Sequence, residues 1–309
     1  MSESELTTVA GFAVSDPVHR IGPERFRKEY EVRRFRPEWT WVAEDEGRIV
    51  GRALWWGRSD SEHPIALDCL QVDPCAGDRV AVAAGLLAAG HTEFERRGAT
   101  QRPEYNIMLT PGWRESPDAL AAVDWRTAAA RLAGLTDELE RLRFEWTPEC
   151  GLPAPESRLV FRAEPDDEVF LDAFRRVAVG TLDIGTRRER AALGPERQAR
   201  EDLEFYLACP GKREWWRLVY TPAGGLAGLA IPSATPYSRN VGYLGVVPAL
   251  RGNGYVDDVL REITRVHAED GAELITATTD TTNRPMAAAF DRAGYRNTEI
   301  RLLLEAPPR

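Results

Sequence analysis

The chain has 309 residues, 43% of them hydrophobic and 29% charged, with a formal net charge of −9. That length suits two domains of about 150 residues each. The negative balance argues against nucleic acid or an anionic membrane as the main partner, and no apolar run reaches membrane-spanning length.

The opening MSESELTTVAGF has neither the basic nor the apolar segment of a secretory signal, so a cytoplasmic location is expected. Cys69, Cys75, Cys150 and Cys209 show no metal-like spacing and read as reduced thiols. There are four histidines, none paired at helical spacing, so no metal is expected.

Two strands are expected at residues 41–44 and 49–54, around a turn at Glu46 and Gly47, followed by Leu70-x-Val72-x-Pro74. An Ala/Leu/Val-rich helix over 79–96, a strand over 105–110 and a helix over 117–135 complete the first half. The second half repeats the pattern. Strands at 216–220 and 226–230 flank the turn at 222–225, and Leu244-x-Val246-x-Pro248 follows at a similar distance. The simplest account is a tandem duplication, with domains at 1–150 and 151–309 separated in the Pro/Gly-rich stretch 148–155. The pairs Trp55-Trp56 and Trp215-Trp216 fall on expected strands. One member of each is expected in the core, the other at an interface or cleft.

The most informative segment follows the strand at 241–247. The chain stops at Pro248, passes through Arg251-Gly252-Asn253-Gly254-Tyr255 and enters an amphipathic helix over 256–268. Such a turn aims backbone N–H groups at one point before a helix N-terminus, where donors and dipole favour an anion. Glycines let the main chain approach a phosphate, and Arg251 adds charge. An ordinary strand-to-helix turn is the competing reading. A P-loop is excluded because no Lys-Ser/Thr follows the glycines.

V-x-P-x-x-R-G-x-G-Y before an apolar helix resembles the CoA-binding signature, R/Q-x-x-G-x-G/A, of the GNAT superfamily of acyl-CoA-dependent N-acyltransferases. Arg251 and Gly254 match it; Val256 departs at the last, small-residue position. Downstream, a strand at 274–280 precedes Asn283-Arg284-Pro285-Met286, then Phe290 and Gly294-Tyr295, which resembles the family's N-x-x-M…F-x-x-x-G-[FY] helix. The resemblance covers about residues 158–304. It implies a mixed α/β fold of two tandem GNAT-like domains, each a mixed, mostly antiparallel sheet with a splayed strand pair, flanked by helices.

In the first copy the cradle is replaced by Gly77-Asp78-Arg79-Val80-Ala81, and the Asn-x-x-Met signature is missing. Val80 does not adopt the backbone conformations open to Gly254, and Asp78 puts a negative charge where phosphate would sit. Residues 1–150 therefore read as a degenerate copy. This layout resembles a two-domain member of the family in which the C-terminal copy carries activity.

The resemblance implies acetyl-CoA or another acyl-CoA as co-substrate and the amine of a small molecule as acceptor. It places the cofactor against Val246, Val247, Arg251, Gly252, Asn253, Gly254, Tyr255, Val256, Asn283 and Phe290. The backbone N–H of Val246 faces the acyl carbonyl, and Asn283 contacts the cofactor arm. The family's usual carboxylate is replaced by Asn240, and its usual tyrosine by Phe290, which has no proton to give. Two catalytic candidates remain. Asp280 takes a proton directly or through water, against the reading that it caps a following turn or helix. Tyr243 donates to sulfur, against the reading of a half-buried sheet tyrosine. An acceptor amine already free of its proton would need neither, since proximity alone gives a large rate effect.

The arginine-rich segment 185–197 borders the acceptor region in this fold. Its arginines suit an acidic acceptor or a carrier protein, or they belong to a solvated connection. Two alternatives stand beside the transferase: a non-catalytic CoA-binding sensor or scaffold, and an acyltransferase fed by a carrier protein's phosphopantetheine arm. Two fused copies cover the surface that single-domain relatives use to dimerise, so a monomer is expected.

Overall fold

The computed structural model describes residues 1–18, 21–154 and 158–307. Pro155, in the stretch expected to separate the domains, lies outside the described residues. Contacts divide the chain into two compact units, Met1–Glu140 with Glu299–Arg309, and Arg141–Thr298. Among the described residues no helix is long and apolar enough to cross a membrane.

The first half builds α1 (Glu3–Gly11), α2 (Pro23–Glu31), β1 (Thr40–Asp45), β2 (Arg48–Trp56), β3 (Ala66–Val72), α3 (Arg79–Arg96), β4 (Glu104–Leu109), α4 (Pro117–Leu132) and β5 (Asp137–Trp146). The turn between β1 and β2 puts Glu46 and Gly47 at φ of 48° and 78°, the left-handed pair a tight hairpin demands. The second half builds β6 (Val160–Arg162), α5 (Asp167–Val177), α6 (Ile184–Leu193), α7 (Pro195–Ala208), β7 (Arg217–Tyr220), β8 (Leu226–Ala234), β9 (Arg239–Val246), α8 (Tyr255–Glu269), β10 (Ile275–Asp280), α9 (Arg284–Arg292) and β11 (Arg296–Glu305).

Apart from β6, which occurs in the second unit alone, each unit repeats one order: helices, three antiparallel strands, a helix, and a strand parallel to the third. In the first, β1, β2 and β3 are antiparallel, and β4 joins β3 in parallel at Ala66 and Leu67 only. In the second, β6 to β9 are antiparallel, and β10 joins β9 at Arg239 and Asn240 only. The closing strands are exchanged along the sequence. Residues 300–304 of β11 pair with β4, and residues 141–146 of β5 pair with β10.

In the second unit, α8 buries Val259, Leu260, Ile263 and His267 on one face, the spacing of an amphipathic helix. They join Val219, Ala230, Val241, Ile275 and Phe290 in one core; Phe170, Phe174, Val177, Leu218 and Ile231 form a second. Trp215 and Trp216 correct the expectation made for them. Both precede β7 and both are buried, Trp215 against His267 and Trp216 against Phe170. A bend at the start of a strand lets neighbours share one side, which alternation along a strand forbids.

The parting of β9 from β10 starts at a bulge. The β8–β9 register shifts between Ile231 and Ser233, so that Val241 and Gly242 stand opposite Pro232, which has no N–H for the ladder. Asn240 holds the bulge three ways. Its Oδ1 accepts the Gly242 N–H at 2.6 Å, its Nδ2 donates to Thr276 Oγ1 at 3.2 Å, and its carbonyl lies 2.8 Å from His267 Nε2. Burial pushes His267 down to about 4, so the ring is neutral at pH 7 and Nε2 carries the proton.

Gly242 sits at φ 71°, and a Cβ there would lie 2.1 Å from the Ile231 carbonyl oxygen. Gly242→Ala is therefore expected to lower the unfolding free energy by roughly 2 kcal/mol or more, read by urea denaturation. A loss within error of zero would mean the bulge tolerates a side chain.

Candidate functional site

Val247 donates its N–H to Ala227, so in the antiparallel alternation the N–H of Val246 points away from β8, into the space β10 has left. A cleft of about 460 Å³ opens there. Val177, Leu182, Leu250, Val256 and Met286 give it apolar walls, and the Gly252–Val256 turn closes one end. Gly252 and Gly254 hold φ of 82° and 73°. Among the described residues no acceptor takes the N–H groups of residues 252 to 256, and no side chain caps α8. Bare donors at a helix N-terminus, reached through a left-handed Gly turn, fit an anion such as a pyrophosphate.

Arg251 has another task as well. Its Nε donates to Val246 O at 3.0 Å, Nη1 to Gly180 O at 2.8 Å and Nη2 to Val177 O at 2.8 Å. The guanidinium thus fastens the end of α5 to the turn before α8, satisfying carbonyls that the last helical turn leaves bare. The cradle's own acidic residues are neutralised. Asp257 pairs with Arg292 at 2.7 Å, and buried Asp258 pairs with Arg158 at 2.6 Å. Arg158 also donates to the carbonyl of Asn253 at 3.1 Å.

A larger cleft of about 610 Å³ lies on the other side of the splay, lined by α6, α7, β9, β10 and α9. The two clefts share Thr181, Tyr243, Leu244, Asn283 and Met286, and so adjoin. Asp183, Glu189, Glu201 and Asp202 line the larger cleft. Burial, then neighbouring Glu189, pushes Asp202 up to about 7. Burial, then Asp183, also raises Glu189.

Most expected residues come together here. Val246, Arg251, Gly252, Gly254, Tyr255, Val256 and Asn283 line the smaller cleft. Asn283 starts α9 without spending its amide on a cap, and it borders both clefts. Tyr243 also borders both, with burial raising its hydroxyl above the usual range. Asn253 sits in the turn with its amide on Leu250 O at 3.0 Å. Val247 turns into the core, and its N–H is consumed by β8. Phe290 borders the larger cleft, stacked on Phe144 at 4.8 Å.

Asp280 is fully buried and lines neither cleft. Its Oδ2 accepts the Ile184 N–H at 2.7 Å, and its Oδ1 lies 3.1 Å from Arg141 Nε. Burial raises its pKa, with the Ile184 bond opposing. The arginine-rich segment also differs from expectation. Of α6 only Gly185, Thr186 and Glu189 reach the larger cleft, and the arginines do not. Sequence reading missed Arg141, Arg158 and the α7 face of Asp202, Phe205 and Tyr206. The spacing of that face, three and four residues, was the available signal.

Arg251→Ala removes three charge-assisted bonds to carbonyls. At this exposed site about 2 kcal/mol of stability should be lost in urea denaturation, with Arg251→Lys recovering less than half because an ammonium lacks the planar fork. Full recovery by Lys would show that charge alone is needed.

No family model matches the sequence, and no curated protein matches it. Solved structures do. A GCN5-related N-acetyltransferase from Sphaerobacter thermophilus is 18% identical over 85% of this chain and 79% of its own, with a TM-score of 0.52. A conserved protein of unknown function from Staphylococcus epidermidis is 8% identical over 87% of this chain and 95% of its own, also at 0.52. A tandem GNAT protein from the clavulanic acid pathway aligns with 99% of this chain and 94% of its own at 18% identity, with a TM-score of 0.47. The tandem layout is visible in the two units themselves, which share the order from their helices through three antiparallel strands to the same parted parallel pair. The chain therefore has the GCN5-related N-acetyltransferase (GNAT) fold, mixed α/β and built twice.

Proposed function

We propose that the chain is an acyl-CoA-dependent N-acyltransferase working in its C-terminal half, in the simplest case moving acetyl from acetyl-CoA to the amine of a small molecule. The observation that carries this reading is the meeting of two clefts at Tyr243, Leu244 and Asn283, one of them ending in a bare N–H cradle. When bound, acyl-CoA supplies a thioester whose carbonyl carbon is the electrophile. The N–H groups of residues 252 to 256 bind its pyrophosphate, and the Asn283 amide orients the arm. The Val246 N–H polarises the acyl carbonyl, a preorganised donor in a space shielded from water. The Tyr243 hydroxyl gives its proton to the departing sulfur as the C–S bond breaks, and the proton lost by the acylated nitrogen restores it. Asp280 acts by position: it fixes the N-terminus of α6 and Arg141 at the wall of the acceptor cleft.

A CoA-binding protein without turnover is the second reading. It is favoured by Asn240 and Phe290, which stand where the family's carboxylate and tyrosine are found, one committed to the bulge and the other stacked in the core. Donation by a carrier-protein arm has less support, since such an arm places little demand on the bare donors at 252 to 256.

Titration calorimetry with acetyl-CoA should give one site per chain. Gly254→Val, with its melting transition retained, should abolish it; Asp78→Gly in the first copy should leave it unchanged. Two sites, or equal losses from both changes, would contradict a single working copy. Tyr243→Phe should lower kcat by about a hundredfold with acetyl-CoA affinity unchanged. An unchanged kcat would remove Tyr243 as the proton donor.

A further inference from the structure

The larger cleft has one-sided chemistry. Asp183, Glu189, Glu201 and Asp202 face it against a single cation, Arg141. Arg141 is committed, lying 3.1 Å from buried Asp280 and 3.6 Å from Asp183. Arg197 holds Glu201 at 2.8 Å. Asp183 and Glu201 act on both Glu189 and Asp202, and Glu189 acts on Asp202, which also accepts a hydrogen bond from the Gln198 amide. Glu189 and Glu201 are exposed at the cleft and Asp183 and Asp202 half-buried, so the cleft presents an excess of negative charge that suits a cationic ligand.

Two further observations point to a ligand. Thr186 and Thr279 are only 7% and 4% exposed, yet both line the cleft, and neither hydroxyl has a partner among the described residues. Phe205 is 51% exposed at the cleft and stands with Tyr206 and Tyr243, an aromatic wall suited to methylenes and ammonium groups. The placement of charge is equally specific. The residues shared by the two clefts, Thr181, Tyr243, Leu244, Asn283 and Met286, carry no charge. A reacting amine at this junction is bordered by uncharged residues, and Asp202, Asp183 and Glu189 act on the Tyr243 hydroxyl from the larger cleft.

We propose that this cleft takes an amine bearing a second positive charge, an aliphatic diamine or polyamine, with the remote ammonium held by Glu189, Asp202 and the Thr186 hydroxyl and the reacting amine beside Tyr243. This rests on the reading of the second unit as an N-acyltransferase. It also reverses the sign suggested by the arginines of segment 185–197: the glutamate faces the ligand and the arginines do not.

The test is calorimetric binding of three probes of equal length to the full chain: cadaverine, the matching amino alcohol and the matching ω-amino acid. Cadaverine should bind at least about tenfold more tightly than the amino alcohol, and the amino acid should bind least. The double variant Glu189→Gln with Asp202→Asn removes repulsion and keeps shape, so it should stay folded. It should lose the preference for cadaverine while keeping acetyl-CoA affinity. Equal binding of the three probes, binding of none, or a preference that survives the double variant would overturn the proposal. Acetyl-CoA titrated separately distinguishes the two readings. Cadaverine selectivity without acetyl-CoA binding would sink the transferase and leave the cation site; acetyl-CoA binding without selectivity would do the reverse.

Discussion

The second unit depends on the point where β9 leaves β10. A parallel pair that stayed bonded would spend the N–H of Val246 on its neighbour and leave no space between the strands. The pair parts because Val241 and Gly242 stand opposite Pro232, which offers no ladder donor, and Asn240 holds the resulting bulge through its amide. Neutral His267 supplies the last bond, to the Asn240 carbonyl. Val246, Tyr243 and Leu244 of β9 face the clefts because of that separation.

The two copies show how small a change decides whether a helix N-terminus keeps its donors bare. In the first, Asp78 caps α3, its carboxylate accepting the Ala81 N–H at 3.0 Å. A resident anion already answers the dipole and donors there. In the second, Gly254 occupies the N-cap with no side chain to offer, and the donors stay bare. Both copies nonetheless keep an arginine on the last carbonyl of the parted strand: Arg79 reaches Val72 O at 3.2 Å, and Arg251 reaches Val246 O at 3.0 Å. A strand end that has lost its neighbour needs a donor for that carbonyl in either copy.

The charges of the unit are sorted by function. Near the cradle, Asp257 and Asp258 are each met by arginine, which removes the repulsion a phosphate would otherwise feel. In the larger cleft the carboxylates are left in excess. The overall charge of −9 gives no hint of this sorting, because it sums over both regions.

Patterns confined to a few neighbouring residues were legible in the sequence. The duplication, the strands and helices of each copy, the Gly252–Gly254 turn and the loss of its counterpart at Asp78 all follow from spacing and from backbone conformations open only to glycine. So did the placing of Tyr243 and Val246 on one strand and of Asn283 at the start of the last helix, because the order of those elements was set. Contacts between distant segments were decided by the tertiary structure alone. Those include the pairing of β5 with β10 and of β11 with β4, the commitment of Asp280 to Ile184 and Arg141, the clamp that Arg251 forms on Val177 and Gly180, and the turning of Glu189 rather than its neighbouring arginines into the cleft. Local sequence fixes which backbone shapes are allowed and which face of an element is apolar. It does not fix which of several similar side chains on a polar face will be buried, since that depends on what the rest of the chain brings against it.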